Sequence, residues 1–500
     1  MHGEMTLEVE RQTESSATAL HSSCRLEIAE HLRIPYDVLG EPAQAGIERL
    51  RADTGKELLW WAARDDAAAA GAEPPARAVV QARSGSIPIF ARVLGNRETE
   101  RVLALRGGSW SPAVAVTGEH GERVASIWRE RDGSVFLPFD PDEVCASYWS
   151  ERYLESVRGR SRRRAARVVL RAYYRMRRLL PRAAQIWLRR RYARVQARTR
   201  FPSWPLETAL HDFFELFASI LADVTGEPLP RIAAWPEGRA WAFVLTHDVE
   251  TAAGLAALDP VLELERGLGM RSSWNLVPGR YEVDDGRVHA LTADGFEVGV
   301  HGLLHDGRDV ESLARVQERL PGMRRAAERW GAVGFRSPAT QRQWELMPLL
   351  GFDYDTSYPD TDPFEPQAGG CCTWLPFFNR DMVELPLTMA QDHTLFVILG
   401  HDDESAWIEK AERLRERGGL ALIDTHPDYL VHEPIERAYR RLLERYAGDH
   451  SAWMALPREV SAWWRRRAES WIERSGEGWV VAGAAAGEAR VELVEGTAWR

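Results

Sequence analysis

Residues 241–250 read Trp-Ala-Phe-Val-Leu-Thr-His-Asp-Val-Glu, an apolar run that ends in two carboxylates, Asp248 and Glu250. The run is short and bounded, as a buried strand is, and the end of such a strand is where a β/α protein places its chemistry. Three further runs end in the same way and in a fixed order. Phe-Glu-Val-Gly-Val leads into His301-Gly302-Leu303-Leu304-His305, Val-Gly-Phe into Arg336-Ser337-Pro338, and Leu-Ala-Leu-Ile into Asp424-Thr425-His426.

Working outward, strands are expected at Trp241–Thr246, Ser272–Val277, Phe296–Val300, Val333–Arg336, Phe352–Tyr354, Met382–Pro386 and Leu420–Asp424. Helices are expected around 252–267, 309–330, 341–350, 403–418 and 431–447. Strand–helix alternation of this kind implies a parallel sheet or a closed barrel. The fold class is therefore α/β, a distorted (β/α) barrel of about seven strands over 235–450.

The polar ends suit a hydrolase with one metal ion. Two imidazoles four residues apart, His301 and His305, stack on one face once the chain turns helical and can hold Zn²⁺ or a similar ion. A catalytic zinc site takes three protein ligands and keeps a position open, so one of Asp248 and Glu250 completes the set and the other is left as a base. Glu250 has a competing use as a cap for a helix starting near Thr251. Arg336 can pair with the base carboxylate and keep it ionised. A protonated His426 can donate to a departing amine, and Asp355, in Tyr354-Asp355-Thr356-Ser357, can raise the pKa of that histidine through its charge. Each residue alone has an ordinary structural use; the ordered set is the signal.

That set resembles the polysaccharide deacetylases, the NodB-homology carbohydrate esterases, over about residues 241–430. The family motifs have the form TFDDG, H(S/T)xxH, RxPxG, a variable motif with an Asp, and LxxH. The resemblance implies a distorted β/α barrel, a divalent metal, and removal of acetyl groups from N-acetylated sugars. It casts Asp248 as the base, His301 and His305 as metal ligands, Arg336 as the residue orienting the base, and His426 as the acid. The family's second aspartate, a metal ligand, falls on Val249, so either Glu250 replaces it or Asp248 itself binds the ion. Gly302 stands for Ser/Thr, Thr340 for the glycine of RxPxG and Ile423 for the leucine of LxxH. The THDVE form of the first motif resembles a branch of longer bacterial proteins associated with surface polysaccharides. Phe136-Leu-Pro-Phe-Asp-Pro-Asp-Glu-Val144 and the arginine-rich stretch below also look like parts of that branch.

The rest of the chain frames this barrel. Residues 1–157 read as a smaller α/β domain, 158–230 as an arginine-rich helical connector and 451–500 as a helix with a terminal hairpin of Trp479–Val481 and Val491–Val494. The 500 residues hold 62 Arg but only Lys56 and Lys410, and 17 of the arginines lie in 158–200, which has no Asp or Glu. Without them the net charge of −10 becomes −27. Val169, Ala172, Tyr173, Met176 and Leu180 form one helical stripe; after Pro181, Ala184, Leu188, Tyr192 and Val195 form a second, together a basic helical hairpin. Such a segment suits an anionic membrane surface, a phosphate-bearing substrate, or the protein's own acidic body. No aromatic platform or groove-reading motif accompanies it, so no nucleic acid is expected. Cys24, Cys145, Cys371 and Cys372 form no disulfide framework. Residues 1–20 lack the pattern of a secretory signal, and no apolar run is long enough to span a membrane, which together predict a cytoplasmic protein, with the inner membrane face as a possible station.

The functional expectation is a metal-dependent hydrolase removing an N-acetyl group from a sugar in a polysaccharide, glycolipid or glycan precursor. Its cofactor is one divalent ion, zinc first and cobalt, nickel or manganese as alternatives. The competing readings are a glycan-binding barrel without turnover, motivated by Val249, and an amidase for a small non-sugar amide.

Overall fold

The computed structural model describes residues 20–40, 46–62, 77–158, 181–476, 478–496 and 499. The sheet carrying the motifs has nine strands, eight of them in one continuous order: β1 (Trp241–Val249), β2 (Ser272–Leu276), β3 (Glu297–Val300), β4 (Gly334–Phe335), β5 (Tyr354–Asp355), β6 (Phe377–Asn379), β7 (Met382–Glu384) and β8 (Leu420–Thr425). Their order is β6-β7-β5-β4-β3-β2-β1-β8, parallel throughout except for the β6–β7 pair. A short strand, β9 (Ala452–Met454), lies parallel to the first residues of β1. All nine positions of β1 are buried, as in a parallel strand covered on both faces.

The seven expected strands are present and β6 and β9 add two, but the sheet is a curled half-barrel rather than a regular closed ring. Among the described residues no ladder joins β7 to β8. Pro386, which lacks a backbone donor, follows β7, and single bonds cross the gap beyond it: Met389 N to Leu422 O at 3.0 Å and Leu422 N to Thr388 Oγ1 at 2.9 Å.

Helices Leu258–Gly267, Leu313–Trp330, Ser405–Glu416 and Glu433–Tyr446 accompany the strands. Leu313–Trp330 begins where the Ser312 side chain accepts from Arg315 N and stops at Gly331, whose φ of 65° is left-handed. Residues 341–350 are not the expected helix; only Met347–Leu350 forms a tight turn, with Pro348 near its start. Helices Asp285–Ala293 and Ala209–Thr225 join the expected set, the latter buried over most of its length because its apolar residues surround it.

Residues 20–137 build a second, mostly antiparallel sheet of nine strands, after which Asp140 caps the helix Pro141–Trp149. A buried ion pair ties this part to the barrel: Arg342 Nη2 and Nε lie 2.6 and 2.8 Å from Glu151 Oε1 and Oε2. The expected C-terminal hairpin is corrected. Gly478–Gly483 pairs with Ser470–Ser475, and Val491–Val494 pairs with Leu229–Ile232. Alternating apolar residues mark a strand without naming its partner. The first half of the basic hairpin, Val169 to Leu180, lies outside the described residues; the second half is the helix Arg182–Gln196.

Candidate active site

Side chains alternate along β1, and the alternation sorts its motif. Thr246, Asp248 and Glu250 take one side. His247 and Val249 take the other, His247 meeting Glu265 Oε1 at 2.7 Å and Thr425 Oγ1 at 2.8 Å, and Val249 entering the apolar core. A ligand at position 249 would therefore face away from Asp248, whereas Glu250 shares its side. At the end of β8 the same rule brings Asp424 and His426 inward and turns Thr425 out.

Ligating atoms of Glu250, His301 and His305 lie within 4.8 Å of one another. His301 Nδ1 is 3.1 Å from the Arg336 backbone carbonyl, which can only accept, so this nitrogen carries the proton and Nε2 presents a lone pair. That Nε2 is buried without a hydrogen-bond partner. Burial drives the His301 pKa down to about 4, so the ring is neutral near pH 7. Burial pushes the Glu250 carboxyl up, but the His305 and His426 side chains outweigh it and hold the group well below its usual value. A neutral imidazole with an orphaned buried nitrogen, a second imidazole and an ionised carboxylate are the donor set that suits zinc or a similar divalent ion.

The two histidines do not meet through a helical turn as the spacing predicts. Residues 301–308 are a bent loop, with Gly302 at φ 63° and His305 at φ 53°, and this left-handed path brings the rings to 5.0 Å between centroids. His305 Nε2 lies 2.8 Å from Glu250 Oε1 but out of line for a hydrogen bond. Its Nδ1 meets Arg280 Nη1 at 2.7 Å.

Behind this triad, Asp248 Oδ1 accepts from Asn275 Nδ2 at 2.9 Å and from Arg336 Nη1 at 3.1 Å, while Oδ2 lies 3.4 Å from His301 Nε2. Burial opposes ionisation of Asp248, but the Arg336 and His426 charges, joined by His301 at the low pH where that ring is protonated, prevail and lower it to about 2. Arg336 is fully buried and also donates to Thr246 Oγ1 and Thr356 Oγ1, each at 2.9 Å. Its Nη1 lies 2.7 Å from Asp424 Oδ1.

The carboxylate beside His426 is Asp392, not the expected Asp355. His426 Nδ1 is 2.7 Å from Asp392 Oδ1, and its backbone N–H donates to Oδ2 at 2.8 Å. Burial lowers the His426 pKa, yet Asp392 and Glu250 more than reverse this and raise it well above 6.5. Asp355 instead accepts from Ser357 N and Oγ and faces Glu384; burial raises its carboxyl. Asp392 begins a π-helical turn, His393–Leu399, where no strand signal directs attention to it. Asp424 stood inside a quoted motif without a role, and Asn275, Thr246 and Arg280 carried no signal beyond lying at or just past strand ends.

The arrangement presents a cation site, an ionised carboxylate fixed by an arginine and an amide, and a protonated imidazole, all in one place. Glu250 and His305 are its most exposed members, with side chains 30% and 14% exposed against 1% for His301 and 4% for Asp248, so the site opens to solvent on their side.

The chain is similar to solved polysaccharide deacetylases. A Mycobacterium smegmatis protein so described shares 18% identity, over 47% of this chain and 93% of that one, with a TM-score of 0.38. One from Pseudomonas aeruginosa PAO1 shares 16%, over 49% and 97%, again at 0.38. The PuuE allantoinase shares 15%, over 46% and 92%, at 0.37. No protein-family model matches the sequence, and no curated protein does.

Proposed function

We propose that this chain is a metal-dependent deacetylase of the NodB-homology kind, in its THDVE-type branch, hydrolysing the N-acetyl amide of a sugar in a polysaccharide, glycolipid or glycan precursor. The observation that carries the reading is the convergence of Glu250, His301 and His305 beside the Asp248–Arg336 pair and the His426–Asp392 pair at the ends of β1, β3, β4 and β8.

Glu250, His301 and His305 would hold the ion, with Asp248 kept free by Arg336 and Asn275. Such an ion, zinc first, supplies Lewis acidity toward an amide carbonyl and toward water. Asp248, ionised and anchored through Oδ1, offers Oδ2 to accept a proton from an attacking water. His426, protonated through Asp392, gives its Nε2 proton to the departing sugar amine. Arg336 keeps the base charged and Asn275 fixes its rotamer. The placement of Val249 in the core, with Glu250 on the ligand side, favours an enzyme over a binding barrel that has lost a ligand. Within this reading 235–450 is the catalytic unit, 1–157 an accessory domain, 158–230 a connector and 451–500 an extension.

The test is acetate release from N-acetylhexosamine oligomers by protein loaded in turn with zinc, cobalt, nickel or manganese. Release that chelation and His301→Ala abolish supports the reading. No release with any of the ions, from protein shown to bind one, overturns it. Release only from small non-sugar amides moves the substrate class.

A further inference from the structure

The helix Arg182–Gln196 packs on the barrel with the wrong face for a core element. Its protein-facing side is Ile186, Arg189, Ala193 and Gln196, with Ala193 and Gln196 buried. Arg189 Nη2 donates to Phe364 O at 2.6 Å and Arg190 Nε to Val397 O at 2.9 Å, so guanidinium groups do the docking. The apolar stripe predicted from Ala184, Leu188, Tyr192 and Val195 points outward: Leu188 is 39% exposed, Tyr192 51% and Val195 59%, and Trp187 beside them is 56% exposed. At 100° per residue these side chains span a single arc on the solvent side, with Arg191 inside it and Arg190 and Arg194 along one margin.

We infer that this helix is an interfacial anchor that seats the protein on an anionic lipid membrane. A solvated apolar arc with arginines at its margin and no acidic residue matches a helix lying in the plane of a bilayer, apolar side down and guanidinium groups among phosphates. Charge selects the lipid: the helix carries arginines and no acidic residue, within a stretch of sequence, 158–200, whose 17 arginines stand against a remainder of −27, so this stretch is drawn to an anionic surface from which the rest of the chain is repelled. Arg191 lies over the Trp187 ring at 5.2 Å, pairing a cation with an aromatic of the kind that settles at headgroup depth. Leu188 and Val195 add nothing to a nucleic-acid contact, where stacking or hydrogen bonding is needed. No helix among the described residues is long and apolar enough to cross a membrane, which leaves surface attachment as the mode this helix can support.

The anchor also bears on the candidate active site. Val397, which accepts from Arg190, belongs to the same π-helical turn that Asp392 begins, and Asp392 holds His426. One element therefore separates the lipid-facing helix from the acid histidine. The docking claim itself needs no catalysis.

Flotation of the full-length protein with vesicles tests it. The protein rises with phosphatidylcholine vesicles containing phosphatidylglycerol and stays behind with phosphatidylcholine alone. Trp187→Glu with Leu188→Glu, both at solvent-exposed positions, lowers the floated fraction about tenfold or more, with an unchanged thermal melt. Arg191→Gln with Arg194→Gln lowers it by roughly the same factor, as two cations near the surface should. Failure to float with anionic vesicles, equal flotation without the anionic lipid, or undiminished flotation of the Trp187/Leu188 variant overturns the inference. Retention by RNA with no vesicle binding overturns it in favour of that other partner.

Discussion

His426 and Asp392 are joined twice, ring to carboxylate at 2.7 Å and backbone N–H to the other oxygen at 2.8 Å, so one carboxylate sets both the position and the charge of the imidazole. Asp392→Asn keeps the shape and removes the charge. Burial then prevails, and the His426 pKa falls. Because the protonated ring is the acid, activity declines as pH rises through that pKa, and the variant's alkaline limb moves to lower pH while kcat/KM drops about 100-fold. The linked stability has the same sign. A histidine raised above its ordinary 6.5 contributes stability fully below that pH and loses it as pH climbs through the folded-state value, a window that Asp392→Asn abolishes. Profiles of kcat/KM and of the urea midpoint against pH check both.

Arg336 stands between two buried carboxyls and can neutralise one. Asp248 has Asn275 as a second donor, while neither oxygen of Asp424 receives a hydrogen bond, and burial raises the Asp424 carboxyl well above its ordinary value despite the Arg336 charge. Of the two, Asp424 thus holds its proton to the higher pH, and Asp424→Asn, neutral and of the same shape as the protonated acid, should change stability by less than about 1 kcal/mol. Arg336→Met leaves Asp248 charged and uncompensated in the interior, at a cost of about 3–5 kcal/mol. Urea denaturation of the two variants separates these outcomes. Equal destabilisation would mean that Asp424 is the ionised partner.

Most of the β-sheet could be read from the chain because each strand is a buried apolar run closed by a polar motif, and the turn from one to the other marks a strand end. The inward residues of those motifs were legible for the same reason: Asp248, Glu250, His301, Arg336 and His426 all lie at or just past a strand end. Asp392 was not, since it opens a π-helical turn with no strand before it, whereas Asp355 does end a strand and faces Glu384 instead of His426. Barrel closure was illegible too. It depends on how the irregular chain after Pro386 meets β8, which no local periodicity encodes. The strands Gly478–Gly483 and Val491–Val494 were visible as strands, but the choice between a neighbour eight residues away and β-pairing with Leu229–Ile232 is a tertiary decision.

The cation site predicts one bound divalent ion per chain by elemental analysis, lost in His301→Ala. Metal that binds only the folded state stabilises it, by roughly 2.7 kcal/mol when free ion stands at about 100 times its Kd. The thermal midpoint should rise on adding zinc, fall on chelation, and ignore both in His301→Ala. A His301→Ala variant that keeps its ion places the metal elsewhere.

Gly302 stands where related motifs carry Ser or Thr, and its geometry explains why. At φ 63° the backbone disfavours a side chain, and a Cβ would lie 2.4 Å from Asp309 Oδ2 and 2.7 Å from the Pro338 ring. Gly302→Ser therefore has to shift the loop that brings His305 to Glu250. The variant should lose at least about 1 kcal/mol of stability and bind the ion more weakly, which chemical denaturation and metal titration measure together. A serine tolerated without loss on both counts would show that the loop takes another path.

Arg280 reaches Nδ1 of His305, a contact in which only the guanidinium can donate, so the imidazole proton sits on Nε2, the nitrogen 2.8 Å from Glu250 Oε1. Ligation through Nε2 must displace that proton, and Arg280 must turn away so that Nδ1 can carry one. Arg280 thereby opposes the ion twice, by fixing the other tautomer and by placing a positive charge beside a cation. Arg280→Met should tighten zinc binding by about fivefold to tenfold, the effect of one nearby charge at a surface site. Titration calorimetry of the two proteins with zinc reads the change. Weaker binding in Arg280→Met would instead make the arginine a support of the ligand set, holding His305 in its left-handed turn.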